Sequence, residues 1–599
     1  MRFSGLRERG SGKCPGPAYT VPVNTCARAL FVFPFIAALA ACAPAVSTPR
    51  VTPDAKPAAA SASAAAGPVA RAIDAVMAAI YPPDKPGAAI VVVKDGRVLL
   101  RKAYGMANLE LRVPVQPEHV FALASLSKQF TAAAILKLAE EGKLSVDDDI
   151  TKFLPAYPTH GARITIEHLL THTSGLSGLS ETSDLRAAAA QESQLIDVLG
   201  DWVKDLPPDF APGERWAYSN WGYSLLGSIV EQASGMSYAA YLEQRLFAPA
   251  GMTHTFYGDR RRVIPMRASG YELQGVQVVN ITQARSRIFL PGGAASLLST
   301  IDDLARWDEA LRTGRMLTPS SLDRMFTSHR LKDGTPTNYG YGWDLGSYAG
   351  HRVQEHAGGT TGFLSYLVRM PDDRVFVAIL SNRSFVTPPL QATAHRIAAI
   401  AIGAPIVEPP AVALTEAELD RIVGTYRGSD VGTFTVTREG ATAFAQVGGL
   451  GTLPLIPTGP LTFRTSTVLW TWMFEIGGDG RAANARVREW KIDDLAARVE
   501  PVTPVPRPIV RVDAAALEAC VGEYESLNGI QVKVARAGDH LLVTPLAQAG
   551  VEIFAVSPME FVTKDGGVQY TFIAGDDGRV TRYLRSAGGG RPVPARRIY

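Results

Sequence analysis

Ser125 and Lys128 are the residues whose types and spacing most directly suggest chemistry. They lie three positions apart, and the run Thr131–Gly142 that follows is typical of a helix stopped by glycine. If that helix begins near Ser125, the two side chains share one face, one turn apart. A lysine with a lowered pKa can take the proton of a serine hydroxyl and make it a nucleophile, and the N–H groups of the helix start can hold an oxyanion. The pair alone is equally compatible with a serine N-cap and a solvated lysine.

A second group of polar side chains lies in the stretch 212–222, which contains Tyr218 and Asn220. A tyrosine hydroxyl beside a lysine can have its pKa lowered and then act as a general base or acid. An asparagine two residues later can bind a substrate amide with both its donor and its acceptor. The apolar run Leu225–Val230 predicts a helix after this stretch. The alternative interpretation is a buried tyrosine followed by an asparagine N-cap.

The third group is the small-residue stretch 355–363, which contains His356, Gly358 and Gly359 and comes before a predicted strand. Small residues allow a substrate to lie against a strand edge, where backbone N–H groups polarise its carbonyl. His356 adds a donor of tunable charge. The alternative is a glycine-rich loop entering a hairpin. Arg312-Thr-Gly314 has a similar pattern, but it follows a helical run, so Gly314 is better explained as the end of that helix.

Taken together, Ser125-x-x-Lys128, Tyr218-x-Asn220 and His356-x-Gly358 resemble, in order and spacing, the motifs of the serine β-lactamase and penicillin-binding-protein family. The resemblance is greatest to the branch of class C β-lactamases, D,D-peptidases, D-aminopeptidases and esterases. It extends over about 330 residues and includes the stretches 164–176 and 294–306.

The resemblance implies a role for each of these residues. Ser125 would attack a carbonyl, while Lys128 and Tyr218 would share the proton transfers. The N–H groups of Ser125 and Gly359 would form the oxyanion hole. Water would then hydrolyse the acyl-enzyme, with Tyr218 the expected activator. No metal and no cofactor are expected, and the substrate would be a small molecule or a short peptide.

One position departs from the family pattern. Many members have Lys-Thr-Gly where this chain has His356-Ala-Gly358. Lysine is a permanent cation that suits a substrate carboxylate, whereas histidine is only partly charged near neutral pH. Binding of β-lactams and of peptides that end in a free carboxylate should therefore be weaker. Esterases and D-amino-acid amidases of the family are similar in having histidine at this position.

Strand and helix patterns around these motifs predict an α+β fold. A helix is expected over 69–80, and a hairpin over 89–100 turns at Asp95-Gly96. Strands over 363–370 and 375–381 and a final helix over 390–402 close the segment. We therefore expect a β-lactamase/transpeptidase-like domain over 69–402, with one antiparallel sheet flanked by helices.

The remaining C-terminal part of the chain contains an internal repeat. After a linker at 403–410, Gly424-Thr-Tyr426 matches Gly522-Glu-Tyr524, an offset of 98 residues that recurs at further positions. Each copy has a short helix and then alternating strand patterns with Gly/Asp turns. Two small antiparallel β-barrels, over 415–505 and 510–599, are the preferred prediction, with small sandwiches as the alternative. The barrels either restrict access to the active site or are inert or partner-binding modules.

The N-terminal residues predict export and a lipid anchor. An apolar run over 29–41 is typical of a signal peptide, and the Leu-Ala-Ala-Cys at 39–42 resembles the bacterial lipoprotein box. Residues 1–42 would be the signal ending at Cys42, the lipidated residue, and the Ala/Ser/Pro-rich residues 43–68 a tether. The predicted location is the periplasmic side of a bacterial membrane.

Composition excludes some other classes of partner. The 599 residues are 46% hydrophobic and 20% charged with a net charge of +3, and no basic stripe suggests nucleic acid. Cys14 and Cys26 precede the predicted cleavage site, so Cys520 would have no disulfide partner. The sequence carries no signal for a particular oligomeric state.

The predicted function is that of a serine hydrolase working through an acyl-enzyme on small amides, peptides (including those with D-residues) or esters. Two alternatives stay open. One is a carboxylesterase or weak β-lactamase, and the other is a non-catalytic penicillin-binding sensor or scaffold of the cell envelope.

Overall fold

The computed structural model describes residues 67–598, except 177–207, 259–261, 275–276, 282–291, 430, 448–450, 466–467, 491, 500–507, 527–530, 546–549, 565–566, 576 and 588–592. The predicted signal peptide, Cys42 and nearly all of the predicted tether lie outside the described residues. No helix in the described part of the chain combines the length and apolar character needed to cross a membrane.

The helices of the hydrolase region alternate with its strands along the chain. They are α1 (Pro68–Ile80), α2 (Ser127–Glu140), α3 (Ile166–Leu170), α4 (Asn220–Ser234), α5 (Tyr238–Leu242), α6 (Ala248–Ala250), α7 (Ile301–Arg312), α8 (Pro319–Met325) and α9 (Leu390–Ile402). A π-helical turn, Glu243–Phe247, joins α5 to α6, and 3₁₀ turns occur at Ala124–Leu126 and Ile150–Lys152.

The strands of this region form one large sheet and three small ones. They are β1 (Ala88–Lys94), β2 (Arg97–Tyr104), β3 (Met106–Asn108), β4 (Val113–Pro114), β5 (Phe121–Ala122), β6 (Phe256–Tyr257), β7 (Tyr271–Gln274), β8 (Gln277–Asn280), β9 (Leu297–Ser299), β10 (Asp344–Tyr348), β11 (His351–Thr360), β12 (Phe363–Met370) and β13 (Val375–Ser381). The large sheet has the order β10-β11-β12-β13-β1-β2, with every pair antiparallel.

The large sheet is covered on both faces. β13 is buried along its whole length, as expected of a central strand with an unbroken apolar sequence. One face packs with α2, α4 and α7 in the larger core, and the other packs with α1 and α9. The predicted α+β fold with an antiparallel sheet flanked by helices is confirmed, and β12, β13 and α9 begin and end at the predicted residues.

Two sequence predictions about local structure are corrected. The stretch around His356 comes just before β12, as predicted, but it is strand rather than a glycine-rich loop, because β11 runs through it and ends at Thr360. The helix predicted to open at Leu225 begins at Asn220, since the side chain of Ser219 accepts a hydrogen bond from the Gly222 N–H and caps it. The prediction that Gly314 lies at the end of a helix is confirmed, because α7 ends at Arg312 and Gly314 has a φ of 66°.

The C-terminal region consists of two closed antiparallel barrels, which confirms that part of the predicted fold. Each barrel follows a short helix, α10 (Glu416–Asp420) or α11 (Ala514–Cys520). The first barrel is formed by β14 (Gly424–Arg427), β15 (Thr433–Glu439), β16 (Thr442–Val447), β17 (Gly451–Gly459), β18 (Thr462–Thr465), β19 (Thr471–Ile476), β20 (Ala482–Glu489) and β21 (Ile492–Val499). The second is formed by β22 (Gly522–Ser526), β23 (Gln531–Ala537), β24 (His540–Pro545), β25 (Val551–Ser557), β26 (Glu560–Thr563), β27 (Val568–Ala574), β28 (Val580–Ala587) and β29 (Val593–Arg597).

The sequence repeat has a structural counterpart in both barrels. The hydroxyl of Tyr426 donates to the Ile422 carbonyl at 2.7 Å, and that of Tyr524 donates to the Cys520 carbonyl at 2.8 Å. Each bond ties the first strand of a barrel to the residues at the end of its short helix. The Gly-x-Tyr repeat therefore marks a buried anchor that both barrels need.

The first barrel contacts the hydrolase region through the turn that contains Trp490. Trp490, in the turn between β20 and β21, stacks on His395 of α9 with ring centroids 3.8 Å apart. His395 Nε2 lies 2.6 Å from the Glu355 carboxylate, and its Nδ1 lies 3.3 Å from the Glu489 carboxylate. Because His395 packs on the α9 face of the sheet, these contacts place the Trp490 turn on the face opposite α2.

Candidate active site

Ser125 is half-buried within an otherwise buried stretch, on the 3₁₀ turn that leads into α2. The residue before it, Ala124, has a φ of 48°, a left-handed conformation that is uncommon for a residue with a side chain. Two hydrogen bonds with Leu297 of β9 hold the turn. The Leu123 N–H donates to the Leu297 carbonyl at 2.8 Å, and the Leu297 N–H donates to the Ser127 hydroxyl at 3.1 Å. The turn is thus a fixed support for the Ser125 hydroxyl.

Lys128 is fully buried, and its amine lies among three oxygen atoms. Its Nζ donates to Ser125 Oγ at 3.0 Å, to Asn220 Oδ1 at 2.5 Å and to the Ala294 carbonyl at 3.0 Å. None of these partners is a carboxylate, so burial is left to dominate and holds the pKa of Lys128 well below its usual range. The lowered pKa favours the neutral amine. In that form two N–H groups remain for Asn220 and Ala294, and the lone pair can accept the proton of Ser125.

Tyr218 lies two residues before the start of α4, and the residue is about one-third exposed. The Lys128 Nζ is 4.8 Å from the centre of this ring, and a hydrogen bond links the Tyr218 hydroxyl with Ser125. The sequence suggested a lowered pKa, but the structure gives the opposite direction. Burial of the hydroxyl raises the pKa of Tyr218, and the bond with Ser125 offsets this only in part. Tyr218 is consequently a neutral hydroxyl at physiological pH.

Asn220 is the first residue of α4 rather than its N-cap. Its side-chain oxygen accepts from Lys128 and so orients the lysine amine. That Asn220 also binds a substrate amide stays a prediction.

His356 is buried on β11, next to the ring of Tyr218 at a centroid distance of 6.3 Å. Its Nδ1 lies 2.6 Å from the Ala357 carbonyl, an acceptor, so this nitrogen carries the proton. Its Nε2 lies 3.0 Å from the Tyr339 hydroxyl, within hydrogen-bond distance. The imidazole is held between the Ala357 carbonyl and the tyrosine hydroxyl.

Gly358 and Gly359 bring β11 alongside the turn that carries the serine. A Cβ at Gly358 would lie 2.2 Å from the Leu123 carbonyl oxygen and 2.1 Å from Ser365 Oγ, so a side chain is excluded there. The Ser365 hydroxyl also donates to the Leu123 carbonyl at 2.7 Å. A Cβ at Gly359 would meet only ordinary contacts. Gly358 thus allows close approach of the strand backbone to the Ser125 turn.

The structure adds three residues to those predicted from the sequence. Ala294 supplies a carbonyl to Lys128, Tyr339 bonds to His356, and His172 packs on the Tyr218 ring at a centroid distance of 4.4 Å. Ala294 and His172 lie in stretches that contributed only to the family resemblance. Tyr339 carries no signal in the sequence, because its place depends on long-range packing.

A comparison with family models and curated relatives gives a consistent assignment. A model described as Beta-lactamase matches residues 69–402. Penicillin-binding protein 4* of Bacillus subtilis (strain 168) is 32% identical over 413 residues, which are 65% of this chain and 90% of that protein. The D-aminopeptidase of Gluconobacter oxydans (strain 621H) is 29% identical over 53% of this chain and 59% of its own length.

Among solved structures, the chain is similar to the octameric penicillin-binding protein homologue from Pyrococcus abyssi. It shares 27% identity, covers 72% of this chain and 99% of its own, and has a TM-score of 0.49. By the family match over the hydrolase region, the chain belongs to the beta-lactamase family, and it is a serine hydrolase of that family.

Proposed function

We propose that this protein hydrolyses small amides, short peptides or esters through an acyl-enzyme formed on Ser125. The observation that supports the proposal most directly is the fully buried Lys128 amine, 3.0 Å from Ser125 Oγ, whose hydrogen-bond partners among the described residues include no carboxylate. A buried amine with a lowered pKa is a competent general base at neutral pH.

In the first half of the reaction, Ser125 Oγ attacks the substrate carbonyl carbon while its proton passes to the Lys128 amine. The resulting oxyanion accepts hydrogen bonds from the N–H groups of Ser125 and Gly359, which we propose as the oxyanion hole. When the intermediate collapses, the leaving amine or alcohol takes a proton from the Tyr218 hydroxyl, which Lys128 restores. An ester bond now joins the acyl group to Ser125.

In the second half, water attacks that ester. Its proton passes to the Tyr218–Lys128 pair, and the proton of the pair returns to Ser125 Oγ as the acid leaves. Because Tyr218 has a raised pKa, we propose that it relays protons as a neutral hydroxyl rather than acting as a free phenolate. Water activation therefore depends on Lys128 and Tyr218 acting together.

The surroundings of His356 indicate which class of substrate the site favours. Its two ring nitrogens lie within hydrogen-bond distance of the Ala357 carbonyl and the Tyr339 hydroxyl, and a histidine is not the permanent cation that a lysine would supply for a substrate carboxylate. This supports substrates without a free carboxylate at that end, such as amides and esters. The similarity to a D-aminopeptidase supports including D-amino-acid amides in the class.

The proposal is tested by mixing the purified protein with a p-nitrophenyl ester, a D-alanyl amide and a penicillin, followed by intact mass measurement and peptide mapping. We expect a transient acyl adduct on the Ser125 peptide with release of product from the ester or the amide, and slower reaction with penicillin. A permanent penicillin adduct without turnover of any compound would instead indicate the sensor alternative. An adduct on another residue would overturn the assignment.

We also propose that the chain is exported and held at a bacterial membrane by lipidation of Cys42. The apolar run over 29–41 and the Leu-Ala-Ala-Cys at 39–42 support this. In a bacterial host, the wild-type protein should sediment with membranes and Cys42→Ala should not. Equal membrane association of the two proteins would contradict the anchor.

A further inference from the structure

His172 is a buried, titratable residue that the proposed reaction does not use. It follows α3, is 1% exposed and has a φ of 60°. A left-handed conformation is uncommon for a residue with a side chain, and histidine is among the types in which it occurs more often. The backbone and side chain of this residue are thus held in a definite and unusual arrangement beside the active site.

Both neighbours of Tyr218 are hydrogen-bonded to this one residue. The Ala217 N–H donates to the His172 carbonyl at 2.9 Å, and the Ser219 N–H donates to His172 Nδ1 at 3.1 Å. The imidazole also packs against the Tyr218 ring, with centroids 4.4 Å apart. His172 therefore constrains Tyr218 from three directions: the peptide before it, the peptide after it and the face of its ring.

The hydrogen bond from Ser219 determines the state of the imidazole. Because Nδ1 accepts, the proton of the neutral ring is on Nε2, which is buried and has no hydrogen-bond partner among the described residues. A charged ring would place a second N–H against that of Ser219. Burial, and the nearby Lys128 and His356, hold the pKa of His172 well below its usual range. A buried ring with an unpaired N–H is costly for packing alone, which points to a role in the site.

We propose that His172 is a positioning residue, which holds the Tyr218 hydroxyl at Ser125 by accepting the Ser219 N–H and bearing on the tyrosine ring. The inference rests on the proposed function, since Tyr218 matters only if Ser125 is acylated. A structural histidine would affect folding alone, whereas a positioning residue acts through Tyr218 and affects turnover.

Three substitutions separate the features of the residue. His172→Asn keeps an acceptor near the position of Nδ1 and suits the left-handed backbone, whereas His172→Phe keeps a ring but has no acceptor. We expect His172→Phe to lower kcat by roughly 10- to 100-fold, as small misplacements of reacting groups do, with KM changed less than about threefold. His172→Asn should recover most of this loss. If His172→Phe does not fold, His172→Gly, which accepts the backbone conformation without an acceptor, takes its place with the same expectation.

The decisive readout is a double-mutant cycle with Tyr218→Phe. If His172 acts through the Tyr218 hydroxyl, His172→Phe should cost little further activity once that hydroxyl is gone. An equal fold-loss in both backgrounds, or wild-type kcat in His172→Phe or His172→Gly, would overturn the inference. Mass measurement of the Ser125 adduct distinguishes the two hypotheses: absence of an adduct in the wild type defeats the proposed function, whereas a normal adduct with unchanged kcat in the variants defeats only the role of His172.

Discussion

Replacing Ser125 with alanine is expected to lower kcat/KM for the ester and amide substrates by roughly four to six orders of magnitude, as loss of a nucleophile does in other serine hydrolases. The change removes Oγ, which accepts from Lys128 at 3.0 Å, and leaves the fixed turn and the start of α2 in place. Stopped-flow and steady-state assays measure the loss, and mass measurement should show no acyl adduct. Retention of more than about 1% of the wild-type rate would reject Ser125 as the nucleophile.

A matched control for this change is Ser320→Ala, because Ser320 is an exposed serine of α8 and its hydroxyl is remote from Lys128 in the sequence and fold. It should retain wild-type kinetics. Lys128→Met is the informative companion: it keeps the length and burial of the side chain but removes the amine. We expect acylation to slow by roughly 10²- to 10⁴-fold, the usual contribution of a general base, while Ser125 still reacts. Acylation at the wild-type rate would transfer the role of base to another group.

Replacing His395 with phenylalanine is expected to destabilise the protein by about 3–5 kcal/mol near pH 6, the usual cost of removing one partner from a buried ion pair. Phenylalanine preserves a ring against Trp490, but Glu355 and Glu489 then face each other without the imidazolium. Chemical denaturation followed by circular dichroism measures the difference. An exposed histidine, His254, provides the matched control, because His254→Phe breaks no buried pair.

The difference in the free energy of unfolding between the wild type and His395→Phe should depend on pH. Burial alone lowers the pKa of His395, but the carboxylates of Glu355 and Glu489 outweigh burial and raise it to about 9. In the unfolded chain the value is about 6.5. The stabilisation is thus fully present below pH 6.5 and is lost as the pH rises through 9. A gap between wild type and His395→Phe that stays constant from pH 6 to pH 9.5 would contradict a charged His395.

The parts of the fold that the sequence predicts well are those determined by local patterns. β12 and β13 are largely apolar runs joined by a polar turn, and α9 ends at Ile402 with Gly403 as its C-cap, so their limits are visible in the residues themselves. The 98-residue repeat likewise exposes the two barrels, because Tyr426 and Tyr524 recur with their surroundings. Such features need no knowledge of distant contacts.

The site shows where local patterns are insufficient. The motif spacing correctly pairs Ser125 with Lys128, since both lie within one helical turn. The pKa of Tyr218 is raised rather than lowered as expected, because burial by distant segments outweighs the adjacent lysine. Asn220 is hydrogen-bonded to Lys128, 92 residues away, and His356 to Tyr339, 17 residues away. These outcomes depend on which segments meet in space.

Trp490 shows that the contacts of the hydrolase region extend beyond the segment matched by the family model. The family match ends at residue 402, yet the stacked partner of His395 and the carboxylate of Glu489 are supplied from beyond it. A fragment cut in the linker after α9 would leave His395 facing water on one side. We therefore expect the hydrolase region and the first barrel to unfold as one cooperative unit, although the family match ends between them. Exchange of barrels between related proteins would need to carry the Glu489-Trp490 pair along, or change α9 to match.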